Sequence, residues 1–243
     1  MTYRIPLDAV VFDFDGTLAE LVIDFSAMKD LVARFAAGHL AEVPPADGLP
    51  ALEYAGRLAG RIAAVSPEAV EAFSRDVARG IRDQEIEAAA KARLFPATRK
   101  ALARLARAKV KVGIITRNCR AAVLTVFPDL ADYAGVLVAR DDAARVKPDP
   151  RHLLDALGVL GARPERSLMV GDHPMDIATG RAAGARTAGV ASGRTSLEEL
   201  ARHGPDYLAP DVGALVAMLE QRGAGARGGA RGGEVGEESL RRG

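Results

Sequence analysis

This chain is poor in the residues that build covalent cross-links and soft-metal sites. One cysteine, Cys119, occurs in 243 residues. A single thiol excludes an intramolecular disulfide and any cluster of cysteine ligands. It suits a reducing compartment. His39, His152 and His203 are scattered and share no metal-ligand spacing, and His173 suits either a substrate contact or the loop before Pro174. No apolar run approaches the ~20 residues of a membrane-crossing helix. The stretch Met1-Thr2-Tyr3-Arg4-Ile5-Pro6 lacks the apolar core of a signal peptide. Excess charge is missing too. Lys and Arg number 33 against 32 Asp and Glu, a net charge of +1. No global field therefore favours nucleic acid or an anionic membrane. The expectation is a cytoplasmic protein with neither partner, acting as a monomer or homodimer.

What is present is ordinary for a globular fold: 49% hydrophobic and 27% charged residues, enough for one large or two modest domains. Two regions, 1–18 and 95–221, alternate strand-like and helix-like patterns. Strands are predicted near 9–14, 111–115, 135–139, 167–170, 186–190 and 206–208. Asp149-Pro150 reads as an N-cap followed by proline at the first helical position. Thr195-Ser196-Leu197-Glu198 reads as a capping box. Such alternation predicts an α/β fold, a Rossmann-like parallel sheet covered by helices.

Residues 19–94 break the alternation and read as an all-helical insertion after the first strand. Met28, Leu31, Val32 and Phe35 form one stripe at helical spacing. A second helix starts at Ser66-Pro67-Glu68 and sets Val70, Phe73, Val77 and Ile81 on one face. Residues 222–243 are Gly-, Ala-, Arg- and Glu-rich and nearly devoid of apolar side chains, the composition of a disordered tail. The stretch Gly223–Gly228 matches GxGxxG but follows a helix, the wrong context for a dinucleotide site.

The informative segments are strand ends. Ala9-Val10-Val11-Phe12 runs into Asp13-Phe14-Asp15-Gly16-Thr17. Charge at the end of a buried strand needs a cation, a proton or a donor. Residues two apart on a strand point the same way, so Asp13 and Asp15 can share one small volume. One suits a nucleophile or metal ligand, the other an acid or base. Val112-Gly113-Ile114-Ile115 runs into Thr116-Arg117-Asn118, and Ser167-Leu168-Met169-Val170 into Gly171-Asp172-His173-Pro174-Met175-Asp176. Between them lies Val146-Lys147-Pro148-Asp149-Pro150. In a parallel sheet, ligands bind beyond the carboxyl ends of the strands, where Asp13, Thr116 and Asp172 would converge.

In their order, DxDGT, a strand ending in Thr, K-P and GDxxxD resemble the four motifs of the haloacid dehalogenase-like hydrolase superfamily. The resemblance covers the chain up to its tail. It implies that Asp13 is a nucleophile that forms an aspartyl-phosphate. Asp15 would be the general acid and base. Mg²⁺ would be held by Asp13, Asp172 and the backbone carbonyl of Asp15. Thr116 would bind the phosphoryl group, with Gly16 and the N–H groups of Arg117 and Asn118, and the helix near Cys119 would add its dipole. Lys147 would neutralise Asp13 and the transferring group. Asp176 would be a second metal ligand or the partner of Lys147; the supporting role is preferred, since Mg²⁺ commonly keeps several waters.

The helical insertion resembles a cap, and the pattern is nearest a phosphoglycolate phosphatase-like branch acting on a small phosphorylated metabolite. Ala97 stands where that branch usually has glycine after Pro96, and Arg117 where it has a small or amide residue. Two other readings stand beside it. A β-phosphoglucomutase-like mutase shares most of the pattern but usually has Ser where this chain has Thr116. A binding module on the same fold would not need all of Asp13, Asp15, Thr116, Lys147 and Asp172. A phosphonate hydrolase would need a lysine in the cap, where Lys29 and Lys91 fall.

Overall fold

The computed structural model of the chain describes residues 6–20 and 23–228, with 222–228 as backbone only. Six short strands carry the fold: β1 (Ala9–Phe12), β2 (Lys111–Ile115), β3 (Val136–Val138), β4 (Ser167–Gly171), β5 (Arg186–Val190) and β6 (Tyr207–Ala209). They pair in the order β3-β2-β1-β4-β5-β6, and every pairing is parallel. The strands are near-continuous apolar runs because helices cover both faces.

The side-chain period of two divides each strand between two cores. Val10 and Phe12 pack with Val112, Ile114, Leu168 and Val170 on one face. There α4 (Thr98–Arg107) and α9 (Val212–Gly228) close the layer with Leu102, Leu105, Leu215 and Val216. Ala9, Val11, Ile115 and Met169 face the other way, against Leu153, Ala156 and Leu157 of α6 (Arg151–Leu160). The remaining helices of the sheet region are α5 (Arg120–Val126), α7 (Pro174–Ala182) and α8 (Leu197–Arg202).

Between β1 and α4 lie α1 (Phe25–Ala36), α2 (Ala51–Val65) and α3 (Ala69–Ala89). They build a separate core in which Met28, Val32, Tyr54, Leu58, Phe73 and Ile81 are buried. Both expected stripes are in it. The two ends of this insertion are stitched together. Ala19 bridges Leu94, Glu20 N–H donates to Arg93 O at 2.8 Å, and Phe95 N–H donates to Leu18 O at 3.0 Å.

Two sequence expectations shift. The cap of α8 is Ser196, whose hydroxyl accepts from Glu199 N–H at 3.1 Å, one residue later than Thr195 suggested and as a simple N-cap. And α9 runs on to Gly228, so residues 222–228 are helical rather than tail. Extending a helix already anchored by packed Leu215 and Leu219 avoids the costly nucleation step, and low hydrophobicity alone does not stop it. The rest of the expected tail, 229–243, lies outside the described residues.

Candidate active site

Three adjacent strands, β2, β1 and β4, end at one place, where the strand order reverses direction along the chain. Asp13 follows β1, Thr116 follows β2 and Asp172 follows β4. The ladder sets their depth: Asp13 N–H donates to Val170 O at 2.8 Å and Thr116 N–H to Val138 O at 3.2 Å. All three residues are buried.

Lys147 comes from the loop between β3 and α6. Its Nζ lies 2.6 Å from Asp13 Oδ1 and 2.7 Å from Asp176 Oδ1. Burial pulls the pKa of this amine down, but the two carboxylates outweigh it and hold the lysine above its ordinary value. The loop is fixed by His152. Lys147 N–H donates to its Nδ1 at 3.1 Å, while Nε2 stands 3.0 Å from Val138 O. That pairing requires a neutral ring protonated at Nε2. Burial agrees, lowering the pKa of His152 to about 4.

Carboxylate oxygens of Asp13, Asp172 and Asp176 lie within 4.8 Å of one another. Burial, then the charges of Asp13 and Asp176, push Asp172 up to about 7. Burial likewise raises Asp176, to about 6, against the pull of Lys147. Thr17 Oγ1 donates to Asp172 Oδ1 at 2.9 Å. Two glycines make room for this carboxylate. A Cβ on Gly16, whose φ is +84°, would lie 2.4 Å from Asp172 Oδ2, and one on Gly193 would lie 1.8 Å from it. Neither contact is compatible with a side chain.

Asp15 turns away from the acidic group. Its carboxylate accepts from Asn118 Nδ2 at 3.1 Å and from Thr116 Oγ1 at 3.3 Å. Burial, then the charge of Asp13, raises its pKa to about 7, so a proton is held there near neutrality. The N–H groups of Asp15 and Arg117 meet no acceptor among the described residues, leaving two donors beside Thr116.

Some expected contacts are used differently. The Gly16 N–H donates to Ala19 O at 2.8 Å, so a direct substrate contact through that donor is not open; the residue supplies space for Asp172 instead. Asn118 N–H donates to Thr116 Oγ1 at 3.0 Å, and the side chain, not the backbone, works on Asp15. The helix after Cys119 is short, and its Cys119 N–H is taken by Glu85 and Asn118 side chains. The next donor, Arg120 N–H, is taken by Asp141 Oδ1 at 2.9 Å, so these two N–H groups are not open to a ligand. Cys119 is a buried thiol whose pKa burial raises to about 11.

The helical insertion closes over these strand ends. Glu85 of α3 is buried and pairs with Arg140, with Arg140 Nη2 2.8 Å from Glu85 Oε2. Glu53 of α2 pairs with Arg117 at 2.7 Å. Between the insertion and the strand ends lies a cavity of about 500 Å³ that Asp13, Asp15, Thr116, Lys147 and Asp172 line from below. Lys29 of α1 lines it from above, whereas Lys91 pairs with Glu87 at an exposed position.

Sequence reading missed Glu85, Arg140, Thr17 and Gly193. A signal existed for Glu85: it continues the apolar register Phe73, Val77, Ile81 by four residues, and a carboxylate on a buried stripe needs a partner. Arg140, in a polar loop, carried none.

A parallel, helix-covered sheet with acidic and cationic groups gathered at the switch point defines a Rossmann-like hydrolase scaffold. Comparison narrows it: the profile of the haloacid dehalogenase-like hydrolases matches residues 7–184, and the chain belongs to that family. Two relatives match at nearly full length. The plasmid phosphoglycolate phosphatase of Cupriavidus necator is 30% identical over 90% of this chain and 95% of that protein. The N-acetylmuramic acid 6-phosphate phosphatase of Pseudomonas aeruginosa is 32% identical over 90% and 97%. The pyrophosphatase PpaX of Bacillus pumilus is 38% identical over 111 residues; there the chain spans about half of the relative, 51% of its length. A solved haloacid dehalogenase-like hydrolase from Bacteroides fragilis superimposes with a TM-score of 0.60 at 27% identity, over 86% of this chain and 99% of that one.

Proposed function

We propose that this protein is a Mg²⁺-dependent phosphatase that hydrolyses small phosphomonoesters through an aspartyl-phosphate on Asp13. The observation that carries this reading is the ion cluster. A buried carboxylate, Asp13, sits 2.6 Å from Lys147 and shares a 4.8 Å group with Asp172 and Asp176. Its full-length relatives are named as phosphatases of phosphoglycolate and of N-acetylmuramic acid 6-phosphate, which supports the same class.

The donor set fits the metal. It offers oxygen atoms alone, the hard ligands that Mg²⁺ prefers. Burial first, and the neighbouring carboxylate charges with it, raise Asp172 and Asp176, and a cation bound among them would offset both. Asp13, Asp172 and the carbonyl of Asp15 would hold the ion, with Asp176 in support through Lys147. Bound there, Mg²⁺ supplies positive charge that screens the phosphate dianion from the approaching carboxylate.

Asp13 Oδ attacks phosphorus in line, and the bond from phosphorus to the ester oxygen breaks. Lys147, Thr116 and the free N–H groups of Asp15 and Arg117 hold the equatorial oxygens as charge shifts. Asp15, kept protonated by burial, gives its proton to the departing alkoxide. The same carboxylate then takes a proton from the water that attacks the aspartyl-phosphate, releasing inorganic phosphate and restoring Asp13. The helices α1–α3 act as a cap that excludes bulk water and admits small esters, in keeping with a cavity of about 500 Å³.

Phosphate release from a panel of small phosphomonoesters, with Mg²⁺ and with EDTA, tests the reading. Turnover is expected only with the metal and only with Asp13 intact. Wild-type turnover in EDTA, or an active Asp13→Asn enzyme, would overturn it.

A further inference from the structure

Five basic side chains face the cavity: Lys29, Arg117, Arg140, Lys147 and Arg194. Three have carboxylate partners on the protein. Lys147 is paired with Asp13 and Asp176, Arg140 with Glu85, and Arg117 with Glu53. Lys29 and Arg194 have no carboxylate partner among the described residues.

Both line the same cavity. The Arg194 guanidinium lies over the ring of Phe25, 5.5 Å from its centre, and Nη2 reaches Ile23 O at 3.4 Å. Lys29 is four residues after Phe25 on α1, so it rises from the same helix face. Arg194 comes from the loop whose Gly193 packs on Asp172 and whose Ser192 hydroxyl donates to Gly16 O at 2.8 Å. That loop is thus tied to the floor of the reaction site while its arginine reaches the cap. Two cations that line one cavity without carboxylate partners favour an anion there. The reacting phosphoryl group belongs below, with Lys147 and Thr116.

We propose that Lys29 and Arg194 form a second anion subsite, which takes an acidic group of the substrate remote from the phosphoryl group being transferred. The inference rests on the phosphatase reading and narrows it. The substrate is then a small phosphorylated acid, carrying a carboxylate or a second phosphoryl group, rather than a neutral phosphorylated sugar or alcohol. Arg194 adds a planar fork that suits either acid, and Phe25 keeps that fork in place from behind.

Calorimetric titration of the Mg²⁺-loaded enzyme with non-hydrolysable phosphonates tests this. The ligands are phosphonoacetate and 3-phosphonopropionate, each against its own primary amide, which keeps the shape and removes the charge. Methylenediphosphonate distinguishes a second phosphoryl group from a carboxylate. The wild type is expected to bind at least one acid about tenfold or more tightly than its neutral counterpart, the discrimination a charged hydrogen-bonded contact gives. Lys29→Gln and Arg194→Gln, on separate elements, should each bring that ratio toward one. Equal affinity for acid and amide at both chain lengths, with methylenediphosphonate binding no better, would overturn the subsite, as would a ratio that survives both substitutions. Mg²⁺-dependent phosphate release from a small phosphorylated acid and from nitrophenyl phosphate is measured alongside. No release from either counts against the phosphatase reading, whereas release with no acid preference in binding counts against the subsite alone.

Discussion

The Thr17 hydroxyl donates to Asp172 Oδ1 at 2.9 Å across 155 positions of sequence. It joins the turn after β1 to the end of β4 and fixes one oxygen of a crowded carboxylate. Thr17→Val keeps the shape and removes the donor. Mg²⁺ affinity is then expected to fall about tenfold, the usual effect of losing a partner that orients a ligand. The Mg²⁺ dependence of phosphate release measures it; an unchanged half-saturating concentration would remove Thr17 from the metal site.

Asp15 and Asp13 are expected to separate kinetically. Asp15→Asn still permits attack by Asp13 when the leaving group needs no proton, as with a nitrophenyl ester. Dephosphorylation then lacks its base, so aspartyl-phosphate accumulates, and poor leaving groups lose about 10²–10⁴-fold in rate. Acid-quench trapping shows the intermediate. Wild-type rates on alkyl phosphates would end the acid/base assignment.

His152 predicts a pH effect on stability. Its folded pKa is about 4, below the ordinary histidine value of 6.5. As pH falls through 6.5, the unfolded chain takes up a proton that the folded chain refuses. Stability from this group is therefore complete above about pH 6.5 and declines until about pH 4, by about 3 kcal/mol in all. Asp15, Asp172 and Asp176, raised by burial, titrate in the same window with the opposite sign, so the contribution of His152 is read as a difference between two proteins. Urea unfolding should show the wild type losing stability relative to His152→Gln as pH falls from 6.5 to 4, and a difference that stays constant across the window would exclude the histidine as a source.

The Glu85–Arg140 pair ties the helical insertion to the sheet region. Glu85→Gln leaves Arg140 without its counter-charge, and a loss of about 3 kcal/mol is expected. Replacing both residues by methionine should recover most of it, because an apolar pair needs no charge compensation. Denaturant midpoints of the single and double variants decide; additive losses would mean that the two residues are not coupled.

Much of this site was legible because strand ends announce themselves. The runs before Asp13, Thr116 and Asp172 are apolar and stop at a polar residue, and a parallel sheet brings such stops together. The strands fall within a residue or two of the expected places, from Ala9–Phe12 to Tyr207–Ala209. Contacts between the two domains were not legible. The Arg117 side chain meets Glu53, and no local pattern marks a pair 64 positions apart. Hydrogen-bond direction was equally hidden: that Gly16 N–H serves the turn and not a ligand depends on where Ala19 O points.

The stitched ends of the helical insertion carry a consequence for how such a chain can diverge. Leu18 and Phe95, Glu20 and Arg93 are bonded neighbours, so β1 and α4 meet as though a tight turn joined them. Chain-closure entropy grows only with the logarithm of loop length, and here the clasp, not the helices, holds the ends together. The sheet can therefore fold with little regard to what is threaded between residues 20 and 93. A different helical module could be spliced in at that clasp like a cassette, provided that it again supplies partners for Arg117, Arg140 and the Cys119 N–H, as Glu53 and Glu85 do here.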